Sequence, residues 1–152
     1  MRSSSSRKTK RSPQVRVAVE RSRSSTVSHE IWKGLLRFNR EQVGPTNYQR
    51  HVISARDAKG KLLGGLILQS YWRESYIEAF WLSARARRSG IGAELIKEAG
   101  RRAKRRGSRL MHLNTYSFQA APFYEKQGFR RFGKFSGSPK GESRYFYVKR
   151  LR

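Results

Sequence analysis

The chain contains no cysteine, which excludes disulfides, thiolate zinc sites and a cysteine nucleophile. Its three histidines, His29, His51 and His112, have no neighbour at metal-ligand spacing, so no metal site is expected. Carboxylates are scarce. Asp and Glu number 10 against 35 Lys and Arg, a formal net charge of +25. Such an excess attracts polyanions through salt-sensitive contacts, so weak nucleic-acid contact is an expectation. Sequence-specific reading is not, because helix-turn-helix, zinc-finger and paired RNP patterns are all missing. Long apolar runs are missing too. The longest uncharged apolar stretch, Leu62 to Trp72, has eleven residues, where a membrane span needs roughly 20. The N-terminus lacks the apolar segment of a secretory signal, so a cytoplasmic protein without membrane contact is expected.

What is present fits one folded domain. The length is 152 residues, and 3 Trp, 7 Tyr and 8 Phe supply core aromatics. Residues 1–13 are basic, acid-free and rich in Ser and Arg, which reads as a disordered tail. The same composition suits an organelle transit peptide or a cloning residue. The domain itself is expected over residues 14–152.

Periodicity gives the elements. Val15 to Glu20 alternates weakly, as a first strand would. A helical stripe follows at Ile31, Trp32, Leu35, Leu36 and Phe38, with Ser28 as N-cap and an end near Gly44-Pro45. One extra helical turn is expected near residues 45–48. Arg50 to Ala55, Leu62 to Tyr71 and Tyr76 to Leu82 read as an antiparallel meander, its first turn at Asp57–Lys61. Leu62 to Tyr71 is apolar at nearly every position, as for a strand buried on both faces. A helix over 91–106 stops at Gly107. Its outer cations, Arg101 to Arg106, form either a solvated face or a docking patch for RNA, DNA or an acidic partner. Strands at 110–115, 129–135 and 143–150 and a short helix at 119–127 complete the chain. The order βαβββαβαββ, with about seven strands, indicates an α+β domain.

One stretch stands apart: Arg87-Arg88-Ser89-Gly90-Ile91-Gly92-Ala93, between an apolar strand and a helix. Glycines let the backbone turn and approach a ligand closely. The helix start offers free N–H groups and a positive dipole end, a seat for phosphate. Arg85, Arg87 and Arg88 add charge. The span is too short for a nucleotide-triphosphate P-loop, and Leu95 stands where a dinucleotide fingerprint needs its third glycine. A plain strand-to-helix turn is the alternative reading.

Downstream lies Phe123-Tyr124-Glu125-Lys126-Gln127-Gly128-Phe129. With Arg87-x-x-Gly90-x-Gly92 before it, the chain resembles the GNAT superfamily of acyl-CoA N-acyltransferases over about residues 14–151. Leu36-Arg-Phe-Asn39, Tyr71-Trp72, Tyr76-Ile77-Glu78, Ser117-Phe118-Gln119-Ala120 and Ser143-Arg144-Tyr145-Phe146 are further words in common with its small single-domain bacterial members. The resemblance implies the GNAT fold, a mixed and mostly antiparallel sheet flanked by helices. It implies N-acetyl transfer from acetyl-CoA directly to a primary amine of a small molecule or peptide, in a ternary complex without a metal.

The site residues follow from it. Backbone N–H groups over residues 88–93 (Arg88, Ser89, Gly90, Ile91, Gly92 and Ala93) would hold the pyrophosphate, with Arg87 beside them. Phe80, Trp81 and Leu82 would pair with the pantetheine arm, and a strand N–H there would stabilise the developing oxyanion. Ser117 stands where many members have an arm-binding Asn. Tyr124 occupies the general-acid position. Glu78 is the candidate base, on the reading that it shares a strand face with Phe80 and Leu82; some members place that carboxylate at what is Tyr76 here. Glu78 as an arginine's partner and Tyr124 as a packing aromatic are the structural alternatives. His112 reads as a core or rim residue. The helix from His29 would line the acceptor groove, and the terminal aromatic strand offers a dimer edge. A catalytically silent GNAT-fold protein, bound to nucleic acid or ribosomes through its charge, is the alternative function.

Overall fold

The computed structural model describes residues 15–20 and 25–152. The basic tail over 1–13 lies outside the described residues. Two compact units meet in sequence between Val43 and Gly44. The first carries one helix, α1 (Ser25–Val43). It begins before the expected cap Ser28 and ends where anticipated, at Gly44 with φ 82°. Residues 15–20 have no regular secondary structure, so the expected first strand is absent. Six residues of weak alternation cannot hold a strand without a partner edge to pair with.

The second unit is a mixed sheet with two helices. Its strands are β1 (Gln49–Arg56), β2 (Leu62–Tyr71), β3 (Glu74–Leu82), β4 (Leu110–Tyr116), β5 (Arg130–Ser136) and β6 (Ser143–Arg150). Helix α2 (Ile91–Arg105) joins β3 to β4, and α3 (Ala121–Lys126) joins β4 to β5. The strand order is β1-β2-β3-β4-β6-β5, with every pair antiparallel except β3 and β4. The sheet thus has six strands among the described residues rather than about seven. No helical turn forms at 45–48, where Pro45 removes a backbone donor. Strand β6 lies between β4 and β5, so the terminal aromatic strand is interior and offers no dimer edge.

Asp57 explains the first turn. Its carboxylate accepts from the backbone N–H of Lys59 and Lys61, at 3.0 and 2.9 Å. Strand β2 buries only alternate residues, Gly64, Leu66, Leu68 and Ser70, leaving its other face half-buried. Those leucines meet Leu95, Ile96, Ala99 and Ala103 of α2, together with Ile77, Met111, Leu113 and Tyr147. The fully buried Ala99 and Ala103 let the helix lie close on the strands. Ser108 N–H donates to Ala103 O and Gly107 N–H to Lys104 O, at 3.0 and 2.8 Å. That paired closure, with Gly107 at φ 78°, stops the helix. Its outer arginines Arg101, Arg102 and Arg105 all turn to Glu98, a solvated arrangement that stabilises little.

A buried hydroxyl chain ties the β2–β3 hairpin to the loop after α2. The Oγ atoms of Ser70, Ser75 and Ser108 lie in sequence at 2.8 Å spacings. Removing the middle hydroxyl strands both neighbours in a dry place. Ser75→Ala is therefore expected to cost about 1–3 kcal/mol in urea unfolding, and an unchanged midpoint would contradict this account.

Candidate active site

The parallel pair β3/β4 holds together over three residue pairs only: Glu74 with Leu110, Ser75 with Met111, and Tyr76 with His112. Beyond Tyr76 the strands diverge. Main-chain groups of Ile77 to Leu82 that point toward β4 then have no partner strand, leaving an edge inside the sheet where an extended ligand can pair. A cleft of about 1060 Å³ fills the gap. Phe80, Trp81 and Leu82 form one wall, Leu113 to Tyr116 the other, and Phe123, Tyr124 and Gln127 come from the α3 region.

The glycine loop closes one end. Arg87, Arg88, Gly90, Gly92 and Ala93 line the cleft; Ser89 and Ile91 do not. The Ser89 hydroxyl donates to Ala86 O at 2.7 Å and so tightens the loop on itself. Arg85 is also turned away, paired with Asp57. Gly90 caps α2 at φ 84°, a left-handed conformation that suits glycine, and no side chain caps the first turn. The leading N–H groups of α2 are thus unmet by helix carbonyls. Gly92 serves packing instead. A Cβ there would press on Leu82 Cδ1 at 3.1 Å and the Phe123 ring at 3.2 Å.

The second motif positions Tyr124. Phe129 N–H donates to Tyr124 O and Gly128 N–H to Glu125 O, both at 3.0 Å, with Gly128 at φ 81°. This closure folds Phe129 back against the Tyr124 ring, with centroids 6.0 Å apart. Phe80, Phe123 and Tyr147 complete the ring's surroundings. Tyr124 is 6% exposed. Burial pushes its phenol up to about 12, so at neutral pH it is a proton-bearing donor. None of the side-chain hydrogen bonds among the described residues involves its hydroxyl.

Glu78 needs a correction of direction. Ile67 pairs with Ala79 and Leu68 with Ile77. Glu78 therefore has no partner on β2 and forms a bulge, which breaks the alternation of faces. Ile77 and Phe80 share the core face opposite Leu68 and Leu66, while Glu78 is exposed with Ala79. It does not share a face with Phe80 and Leu82. Glu78 is among the residues that line the cleft, and its carboxylate stands 3.5 Å from Arg50 Nε.

Ser117 is not a lining residue. Its hydroxyl accepts from Ser143 N–H at 2.9 Å and donates to Glu142, which anchors the start of β6. A polar residue that does line that wall is Asn114, which local motif reading missed. Its Nδ2 donates to the Tyr76 hydroxyl at 2.8 Å, and its Oδ1 accepts from Arg144. His112 lies against Tyr76, with tilted rings and centroids 5.1 Å apart, and is outside the cleft. Burial pushes its imidazole pKa down, with Glu74 opposing. No cluster of metal-binding side chains occurs among the described residues, and no helix among them is long and apolar enough to cross a membrane.

Known proteins resemble this chain in sequence and fold. The acetyltransferase (GNAT) family model matches residues 20–129. The blasticidin-S acetyltransferase of Streptomyces morookaense is 33% identical over 94 residues, which is 61% of this chain and 69% of that protein. An acetyltransferase crystal structure from Bacillus cereus superposes with TM-score 0.77 at 28% identity, covering 89% of this chain and 98% of that one. A streptothricin acetyltransferase from Bacillus anthracis, solved with acetyl coenzyme A, gives TM-score 0.58 at 25% identity over 65% and 61% of the two chains. With a splayed parallel pair, a glycine-capped helix at its mouth and a family match over most of its length, the chain belongs to the GNAT family and is an acetyl-transferring enzyme.

Proposed function

We propose that the enzyme moves an acetyl group from acetyl-CoA directly to a primary amine, both substrates being held together in the β3/β4 cleft. The observation that carries this reading is the convergence of three features on that cleft: an unpaired strand edge, a helix start with adjacent arginines, and a proton-bearing phenol. Arg87 and Arg88 with the N–H groups at the α2 start hold the pyrophosphate. The edge from Phe80 to Leu82 pairs with the pantetheine arm, and a backbone N–H near Phe80 or Trp81 donates to the thioester oxygen. Asn114 takes over on the β4 wall the place expected of Ser117.

Proton traffic then runs between two residues. An alkylammonium has an ordinary pKa of about 10.4, so one proton must leave it before nitrogen can attack. Glu78 takes that proton through a water molecule. The nitrogen lone pair forms the new C–N bond, the C–S bond breaks, and the nitrogen's second proton is lost to solvent. Tyr124 donates its phenolic hydrogen toward the departing sulfur. A phenol near 12 holds its proton more tightly than a thiol near 8.5. Its contribution is therefore a strong hydrogen bond to developing thiolate, with completed transfer following as solvent re-enters.

CoA at a hundredfold excess over its dissociation constant is expected to add about 2.7 kcal/mol of stability. A rise in melting temperature measures it, and no rise at hundreds of micromolar would overturn the reading. Arg87→Ala leaves the melting point of the free protein unchanged and reduces that rise. Gly92→Glu, which drives a side chain between Leu82 and Phe123, lowers both.

Tyr124→Phe is expected to lower kcat at least tenfold, a usual scale for a proton donor, while CoA affinity changes little. Loss of affinity instead would mark Tyr124 as packing alone. The same variant carries a pH signature. A phenol pKa raised in the folded state gives stability that is full below about 10 and lost as pH rises toward 12. Tyr147, raised by burial and its bond to Glu125, shares this loss. Urea unfolding from pH 9 to 12 should therefore show a smaller loss in Tyr124→Phe, by about 2 kcal/mol.

A further inference from the structure

The charges that line the cleft are unevenly matched. Glu78 is its one carboxylate, against Arg87, Arg88 and Lys126. Arg87 and Arg88 sit where phosphates are expected. Another cation, Arg144, stands just behind the β4 wall and has no such task.

Arg144 faces Tyr116 across the β4–β6 pair. It is half-buried. Its Nε and Nη2 both donate to Asn114 Oδ1, at 2.8 and 2.5 Å. Its guanidinium carbon lies 5.2 Å from the Tyr116 ring centroid. Asn114 and Tyr116 both line the cleft. Two of five N–H donors are thus used, and both reach a neutral amide. Among the described residues no carboxylate lies within 4.0 Å of Arg144. The adjacent Glu142 accepts from Ser117 instead. An arginine cannot shed its proton to relieve partial burial, so this charge is permanent and uncompensated.

Register places the relevant groups on one face. Tyr76, Asn114, Tyr116 and Arg144 lie on the side of the sheet away from the α2 core, and the bulge turns Glu78 to that side as well. An amine entering from there meets a carboxylate on the β3 wall and an unpaired guanidinium beyond the β4 wall. A polyamine would bring a second ammonium toward Arg144 and Arg50, where like charges repel.

Resting on the acetyltransferase reading above, we propose that the acceptor amine also carries an anionic group, a carboxylate or phosphate, and that Arg144 selects it. The amine nitrogen turns toward Glu78 and the anion toward the free edge of the guanidinium, a geometry that planar oxyanions suit.

Three four-carbon amines with one kind of reacting nitrogen test this: 4-aminobutanoate, 4-aminobutanamide and 1,4-diaminobutane. In thiol-release assays, kcat/KM is expected to fall in that order, with about tenfold between the first two. Arg144→Gln brings the acid-to-amide ratio to about one through the KM of the acid, and Arg144→Lys restores part of it. A wild-type ratio of one or less, or a ratio untouched by Arg144→Gln, overturns the proposal. If none of the three turns over, the melting temperature of the CoA-saturated protein with each amine decides. A larger rise with the acid supports the proposal, and equal rises overturn it. CoA that fails to bind at all sinks the acetyltransferase reading and this one with it; CoA that binds without acid preference sinks only this one.

Discussion

Everything about the site depends on how briefly β3 and β4 stay paired. After Tyr76 the two strands part, and each carries main-chain groups that a continuous sheet would have satisfied. A buried edge of this kind is costly unless something pairs with it. A ligand arm of extended shape meets the requirement, so the defect in the sheet is also the binding site. The cross-link from Asn114 to the Tyr76 hydroxyl lies at the vertex and fixes where the parting begins.

Two glycine closures place the remaining groups around that gap. Gly90, at positive φ, swings α2 so that its first turn faces the cleft without a side-chain cap. Gly128, also at positive φ, ends α3 and folds Phe129 onto Tyr124. The phenol is thereby held in an apolar nest, with no side-chain hydrogen bond to its oxygen among the described residues. Both glycines work through backbone conformation, which is why short motifs can carry so much of the site.

Much of this was readable from residue order. Alternation and the Asp57 turn gave the β1–β3 meander, and the stripe Leu95, Ile96, Ala99, Ala103 gave α2 with its stop at Gly107. Arg87 to Ala93 and Phe123 to Phe129 gave both motifs. The misreadings share one cause. Val15 to Glu20 alternates but no strand forms there, the face of Glu78 depends on its pairing with β2, and the terminal strand inserts between β4 and β5. Each is settled by a partner distant in sequence, and local pattern holds no record of register. Ser117 illustrates the same point at one side chain: its hydroxyl turns to Glu142 and Ser143, a contact that only the closed sheet brings near.

The sequence by itself determined the β1–β3 strands, the Asp57 turn and helix α2 with its stop, and which stretch has the glycines and arginines to face phosphate. Those properties reside in backbone freedom, side-chain period and charge, all local. Tertiary structure alone decided that Glu78 bulges away from the core, that Asn114 rather than Ser117 lines the cleft, and that Arg144 stands half-buried without a counter-ion among the described residues. These follow from strand pairing and long-range packing, which bring together residues that the chain keeps far apart.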